Sequence, residues 1–402
     1  MLTLKDLKGI KPLPALLVAQ FLSAFVDNMI LFITLAILKG NSYPGYYLPL
    51  VQSAFLLSYI VLAPWVGRIA DKHSKAKVLI LGNIIKSFGI LMLIFDVNPV
   101  LCYAVVGTGA VVYSPAKYGI LPELAEDEGK LLKANSKIES FTILAILCGS
   151  VVGGILSDIS IMVSLLICLL LYSLSICFNL LIPAKEGDFS ITYNRAVREF
   201  RNDSLSLLSN PQGLFTLVGT GTFWLASAVL RLIIIAWLPI TLGISSNTSI
   251  SLIIAVTGIG IALGAIITPY FITVKTYFRC SFFGFAMAGC VFAFTLVNTL
   301  PLTLALLLLA GCLGGIFLVP MNTCLQQIGN QTIGTGKTIA IQNFVENTFM
   351  FLGVGLYTVA TRAGVGLNTA ISATAMIMFF LLFIMLLTKF WYTPTKSANY
   401  KD

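Results

Sequence analysis

Three ionisable residues fall where a lipid-spanning helix should carry none: Asp27, Lys117 and Arg231. Each lies within an apolar run of about 20 residues or more. A charge at bilayer depth costs roughly 2.5–3.5 kcal/mol on insertion scales, so such residues face a cavity or a partner and mark a pathway or a site. One anion and two cations in the core of a helical bundle suit a solute that carries opposite charges. Neighbours add hydrogen-bonding groups: Asn28 beside Asp27, Tyr113 and Tyr118 around Lys117, and Asn343 with Glu346 in a later run. Asp27 and Arg231 have a second reading, as a salt bridge that holds two parts of the fold together; that pair leaves Lys117 unexplained. Lys86 lies within about two turns of a helix end and is expected to snorkel toward headgroups. Glu139, also near a helix end, is expected to pair with Lys133 or Lys137. For Glu346, substrate, ion-coupling and structural roles stay open, and Asp27 shares the coupling reading.

The elements that position these residues follow from composition. Of the 402 residues, 58% are hydrophobic and 10% charged, against about 25% charged in a soluble domain, and the mean hydropathy is +0.95. Apolar runs predict helices near 13–38, 46–69, 78–97, 99–122, 134–156, 161–183, 214–241, 249–272, 279–298, 301–325, 338–361 and 367–391. The first is too long for a signal peptide and reads as a retained helix. The fold class is an all-α polytopic membrane protein.

The net charge of +9 is explained by topology rather than by a nucleic-acid partner. With the N-terminus inside, 20 of the 25 Lys and Arg residues lie on the inner side; only Lys39 and Arg362 lie outside, and Lys86, Lys117 and Arg231 lie within spans. This asymmetry places both termini in the cytoplasm and adds an attraction to anionic membrane lipids. The eight cysteines fall in or at the ends of apolar runs without a C-x-x-C, so they are expected to be buried structural thiols, with no disulfide or metal site and no cofactor.

Six helices stand on either side of the longest polar stretch, KEGDFSITYNRAVREFRNDSLSLLSN, whose Ile191, Val197 and Phe200 with Arg195, Arg198 and Arg201 suit an amphipathic segment on the inner surface. The expected organisation is residues 1–183, a linker at 184–211, and residues 212–402. The halves look related: Pro115 pairs with Pro320, Glu139 with Glu346, and a similar offset carries Asp27 onto or beside Arg231. Polar positions at helical spacing (Gln20, Ser23, Asp27 and Thr34; Thr216, Thr220, Ser227 and Arg231) are expected to line a central cavity. Duplicated six-helix halves with the site between them resemble the major facilitator superfamily. The loop GRIADKHSKAKV, with Gly67, Asp71, Lys72, Lys75 and Lys77, resembles that superfamily's cytoplasmic loop motif, Lys replacing the usual Arg. The resemblance implies a gating contact in which Gly67 lets two helix ends approach and Asp71 accepts bonds from a neighbour; the other reading is a tight basic turn.

Three runs, AQFLSAFVDN, VVYSPAKYGILPEL and IAIQNFVEN, are similar to the bacterial lysophospholipid transporter family, and the likeness extends over essentially the whole chain. It implies a twelve-helix fold of two pseudo-symmetric six-helix bundles in the bacterial inner membrane. It also implies import of lysophosphatidylethanolamine and lysophosphatidylglycerol for re-acylation beside an acyltransferase–acyl carrier protein synthetase. Asp27, Asn28, Lys117 and Arg231 match the family's headgroup-handling positions, whereas Pro122 before Glu123 departs from its pattern. Two other classes frame the expectation. One is an ion-coupled transporter of a soluble solute such as a sugar, amino acid or drug. The other, a membrane-embedded acyltransferase, lacks a catalytic base, since the single histidine, His73, has no H-x-x-x-x-D arrangement. The string GTGKT at 334–338 lacks the first glycine of a phosphate loop and any preceding strand, and reads as a helix entry.

Overall fold

The structure, a computed structural model, describes residues 12–124, 128–272, 274–333 and 335–390. Among the described residues the long helices are α1 (Pro12–Gly40), α2 (Tyr47–Lys72), α3 (Lys75–Ile94), α4 (Pro99–Gly119), α5 (Glu128–Ile159) and α6 (Ile161–Asn179) before the linker. After it come α7 (Pro211–Leu242), α8 (Asn247–Phe271), α9 (Cys280–Ala293), α10 (Leu300–Gln331), α11 (Thr335–Arg362) and α12 (Leu367–Phe390). Eleven of the described helices are long and apolar enough to cross a membrane, and α5 adds a shorter apolar stretch, Leu144–Ile159. The linker holds its own amphipathic helix, Ala196–Ser209.

Local chemistry sets the helix ends. Asn98 caps α4 through the Val100 amide with Pro99 in the first turn, Asn210 caps α7 through the Gln212 and Gly213 amides with Pro211 following, and Ser160 caps α6. The α7 helix stops at Gly243, whose φ of 68° admits the left-handed turn.

The packing repeats. In the first half α1 packs on α5 and α6, α2 on α4, and α3 on α4 and α6. In the second half α7 packs on α11 and α12, α8 on α10, and α9 on α10 and α12. Each pairing recurs six helices later, which is the pseudo-symmetry of two six-helix bundles. The halves meet where α2 packs on α11 and α5 on α8, two contacts that the same symmetry exchanges. Close approach is made by small residues at four-residue spacing. A Cβ added to Gly264 of α8 would lie 2.1 Å from the Cys312 carbonyl oxygen, and one on Gly149 of α5 would lie 2.3 Å from that of Phe25.

One end of the bundle carries Lys72, Lys75, Lys77, Lys185 and Arg195 and is called the basic end; the other is the far end. At the basic end the linker helix bridges the halves: Glu199 pairs with Arg68 of α2, and Asp203 with Lys337 of α11 at 3.0 Å. Lys337 of the GTGKT string is thus engaged by the linker at a helix start. Nearby, the Asp188 carboxylate is held below the usual carboxylate range by hydrogen bonds from the Ser190 hydroxyl and amide.

Three expectations change here. Gly67 has no close approach, since a Cβ there would meet nothing within 4 Å; the tight contact in this region is at Gly187 of the linker, 2.4 Å from the Lys72 carbonyl oxygen by the same measure. The exposed Asp71 takes part through its backbone carbonyl, which accepts from the Asp188 amide at 3.0 Å, and among the described residues its carboxylate has no partner. All eight cysteines are free, but Cys177 is exposed and Cys148 and Cys312 are half-buried. In a membrane bundle the lipid-facing surface is apolar too, so an apolar run does not imply burial.

Candidate functional site

The centre of the first half is a buried polar network. Asp27, in the middle of α1, accepts a hydrogen bond from the Tyr172 hydroxyl at 2.7 Å and pairs with the Lys86 ammonium at 2.7 Å. Lys86 also donates to the Ser23 hydroxyl at 2.9 Å and lies 4.9 Å from the centre of the Tyr113 ring. Ser23 donates to Asn83, Asn83 to Ser175, and Ser175 to the Ala19 carbonyl, at 2.8, 2.8 and 2.7 Å. The network welds α1, α3 and α6 together, and Tyr113 of α4 closes its side.

Lys86 therefore does not snorkel. It is 1% exposed, because an acceptor at hydrogen-bond distance in low dielectric outweighs the reach to headgroups. Asp27 is likewise not neutralised by Arg231. The polar stripe of α1 faces its own bundle: Gln20 donates to Thr142 of α5 at 3.1 Å, and Ser23 meets α3. Thr216 and Thr220 of α7 are buried, with hydroxyls turned to carbonyls of their own helix.

Arg231 stands apart. It is half-buried on α7 and makes no hydrogen bond or ion pair with another described residue. Tyr103, on α4, lies within electrostatic range of both Arg231 and Asp27. A charge from each half thus acts on the same tyrosine. Lys117 is elsewhere: it lies 14 residues beyond Tyr103 on α4, about 21 Å along the axis, close to the basic end, buried, with its ammonium 4.2 Å from the Tyr118 ring centre. The charges that were expected to share one chamber occupy successive depths.

The remaining expected residues divide. The Asn28 amide donates to the Ala24 carbonyl at 2.8 Å, within its own helix. Glu346 is buried on α11, accepts from Gln342 at 2.7 Å and has Thr220 beside it; Gln342 also donates to Asn322 at 2.8 Å. Among the described residues no cation lies within salt-bridge distance of Glu346. Asn343 is half-buried one turn away. Lys75 is half-buried and Lys77 exposed at the start of α3. Glu139 falls on α5, but its side chain lies outside the described residues, as do those of Pro122 and Glu123.

Sequence reasoning missed Asn83, Tyr172 and Ser175 and turned Lys86 toward headgroups instead of toward them. The signal was present in their spacing: 83 and 86 on α3, and 172 and 175 on α6, are each three apart and so share a helix face.

Beyond Arg231, toward the far end, lies a cavity of about 830 Å³ whose walls include Leu35, Leu38, Leu48, Leu232, Ile235 and Trp237. It is mostly apolar and falls within the roughly 300–1,000 Å³ typical of ligand sites. The halves are clasped around it. The Asp158 carboxylate at the end of α5 accepts from the Ser246 hydroxyl (2.9 Å), the Thr248 amide and hydroxyl (both 2.8 Å) and the Asn247 amide (3.2 Å), capping α8 from the other half. Lys39 donates to Asn247 at 2.8 Å and to the Ser245 carbonyl at 3.2 Å. Asp158→Ala removes the anion from this cap, a change of about 1–2 kcal/mol. It is expected to shift the protein several-fold toward opening at the far end, seen as faster thiol labelling of an introduced Leu38→Cys over the native cysteine background. Unchanged labelling would show that the clasp does not hold the far end shut.

Comparison with known proteins agrees with this architecture. A family model described as Major Facilitator Superfamily matches residues 16–354. A protein of Serratia proteamaculans (strain 568) named lysophospholipid transporter LplT is 44% identical over 351 residues, 87% of this chain and 88% of that protein. One of the same name from Yersinia pestis (strain Pestoides F) is 43% identical over 353 residues, 87% of each. Among solved structures, the nucleoside transporter NupG superposes with a TM-score of 0.72 at 15% identity, covering 96% of this chain and 100% of that one. A bacterial homologue of the human lysosomal transporter Spinster, inward-facing and unoccupied, gives 0.68 at 14% identity, with 95% and 98% covered. At such identities the solved structures speak for the fold.

Proposed function

Because the chain belongs to the major facilitator superfamily and, within it, to the family of the lysophospholipid transporters LplT, we propose that it carries lysophospholipids across the bacterial inner membrane by alternating access. The observation that carries this reading is Arg231. A guanidinium held at membrane depth with no anion paired to it among the described residues calls for an anion from outside, and its planar fork suits a phosphate. The apolar cavity next to it, beginning at Leu232 and Ile235 on the same helix, supplies what a single acyl chain needs.

In this reading the basic end is cytoplasmic, with both termini there, and the substrate enters from the far end, head toward Arg231 and tail in the apolar cavity. The Asp27–Lys86 pair, neutral as a unit, lets the head pass the middle of the first half without trapping it. Lys117 receives the phosphate nearer the cytoplasm, with Tyr118 beside it, and Tyr113 and Asn343 offer contacts to glycerol hydroxyls. Glu346 accepts an ethanolamine ammonium further along the path. The halves, residues 1–183 and 212–402, rock about the linker at 184–211, with Asp71, Lys75 and Lys77 of the α2–α3 turn and Glu139 of α5 as gating residues at the cytoplasmic end. Re-acylation by an acyltransferase–acyl carrier protein synthetase on that side would drain the product, so downhill movement needs no coupling ion.

The test is uptake of labelled lysophosphatidylethanolamine into proteoliposomes, with and without a sodium or proton gradient. Wild-type protein is expected to take it up in both conditions, and Lys117→Ala to abolish uptake while eluting as a folded protein on size exclusion. Wild-type rates in Lys117→Ala would remove that residue from the path. Failure of lysolipid to compete where a soluble solute does would end the reading.

A further inference from the structure

A second cavity, of about 440 Å³, opens at the basic end on the outside of the first half, between the start of α3 and the linker. Its walls include His73, Ser74, Lys77, Leu81, Lys185 and Phe189. Ser74 is the N-cap residue of α3, yet its hydroxyl makes no capping bond; it is 8% exposed and has no hydrogen-bond partner among the described residues. An N-cap serine ordinarily accepts from an amide of the first turn. Here the first intrahelical bond is Val78 N–H to the Ser74 carbonyl at 3.0 Å, and the amides before it have no acceptor within the helix. The positive end of a 20-residue helix therefore points into the cavity. Two cationic residues, Lys77 and Lys185, are in its lining against one carboxylate there, Glu186.

The second wall is firmly placed. Gly187 seats the linker against the end of α2, and the Asp188 amide donates to the Asp71 carbonyl at 3.0 Å. Below the cavity, Leu81, Ile84, Phe88, Leu91 and Phe95 are all exposed and recur every three to four residues down α3, a continuous apolar stripe facing lipid. Phe189, also exposed, borders the opening from the linker side.

An anion pocket standing on a lipid-facing stripe has a specific occupant. We infer that this cavity is a headgroup site for an anionic phospholipid of the leaflet at the basic end. The phosphate is held by the Ser74 hydroxyl, the α3 N-terminus, Lys77 and Lys185, and the acyl chains lie along Leu81, Ile84 and Phe88. A free phosphate would use the same donors but not the stripe. Bound there, the lipid ties the α2–α3 turn to the linker that joins the halves. The site is separate from the Arg231 pathway, and its occupant does not depend on which molecule is transported.

The experiment is native mass spectrometry of the full-length protein in detergent, titrated with dioleoylphosphatidylglycerol, with dioleoylphosphatidylcholine and inorganic phosphate as separate probes. The tightest-bound phosphatidylglycerol is expected to weaken about five-fold with either Lys77→Glu or Lys185→Glu, and more than ten-fold with both. Glu186→Gln is expected to tighten it, which keeps the test informative even where a lysine variant folds poorly. Unchanged binding in the lysine variants and in Glu186→Gln would overturn the assignment. So would phosphatidylcholine binding as tightly as phosphatidylglycerol, or inorganic phosphate displacing the lipid at equal concentration.

Discussion

Lys86→Met is expected to destabilise the folded protein by about 3 kcal/mol or more, and Asp27→Asn added to it to recover most of that loss. The pair is bonded at 2.7 Å with Lys86 1% exposed. Removing the cation strands a carboxylate that, among the described residues, keeps only the Tyr172 hydroxyl as partner, and breaking a buried pair in this way costs about 3–5 kcal/mol. Removing both charges returns the site to neutral groups that Tyr172 and Ser23 can still satisfy. Unfolding in detergent, followed by loss of helical signal against denaturant, reads both effects. A Lys86→Met protein as stable as the wild type would mean that Asp27 is solvated or partnered from elsewhere. The reading of the network as a weld between α1, α3 and α6 would then fail.

Arg231→Gln should give the opposite pattern. Arg231 makes no bond to another described residue, so its removal strands no protein group and is expected to leave stability unchanged or slightly raised. Uptake of lysophosphatidylethanolamine, by contrast, is expected to fall at least ten-fold. A charge-assisted bond contributes about 1.5–3 kcal/mol, and each 1.4 kcal/mol is about ten-fold in binding. Arg231→Lys is expected to recover part of the uptake, because it restores the charge but not the planar, two-point grip on phosphate. If Arg231→Gln transports like the wild type, phosphate recognition does not pass through this residue. If it unfolds, Arg231 has a structural partner.

These two cations were read with unequal success from the chain. Arg231 sits deep in its run, and depth is a property that can be counted along a sequence. Lys86 sits in a shorter run near a basic turn, where snorkelling and inward pairing have the same linear pattern. Only the rotation of α3 about its axis, which turns 83 and 86 toward α1 and α6, separates the two. Gly67 shows the same limit from the other side. The loop motif pointed to a close approach, whereas the close approach is made by Gly187, more than a hundred residues away in the chain.

Hydropathy, basic-residue placement and the 205–207-residue offsets between the halves are sums over local stretches, and bilayer thickness and water solvate them one stretch at a time. The helical membrane class, the fold and the presence of charged residues in its core were therefore legible from the amino acids in order. Which carboxylate meets which ammonium, and at what depth each cation stands, depends on helix rotation and axial shift set by packing between distant segments. Low dielectric makes those pairings strong once formed, but distance decides them, and distance exists only in the folded bundle.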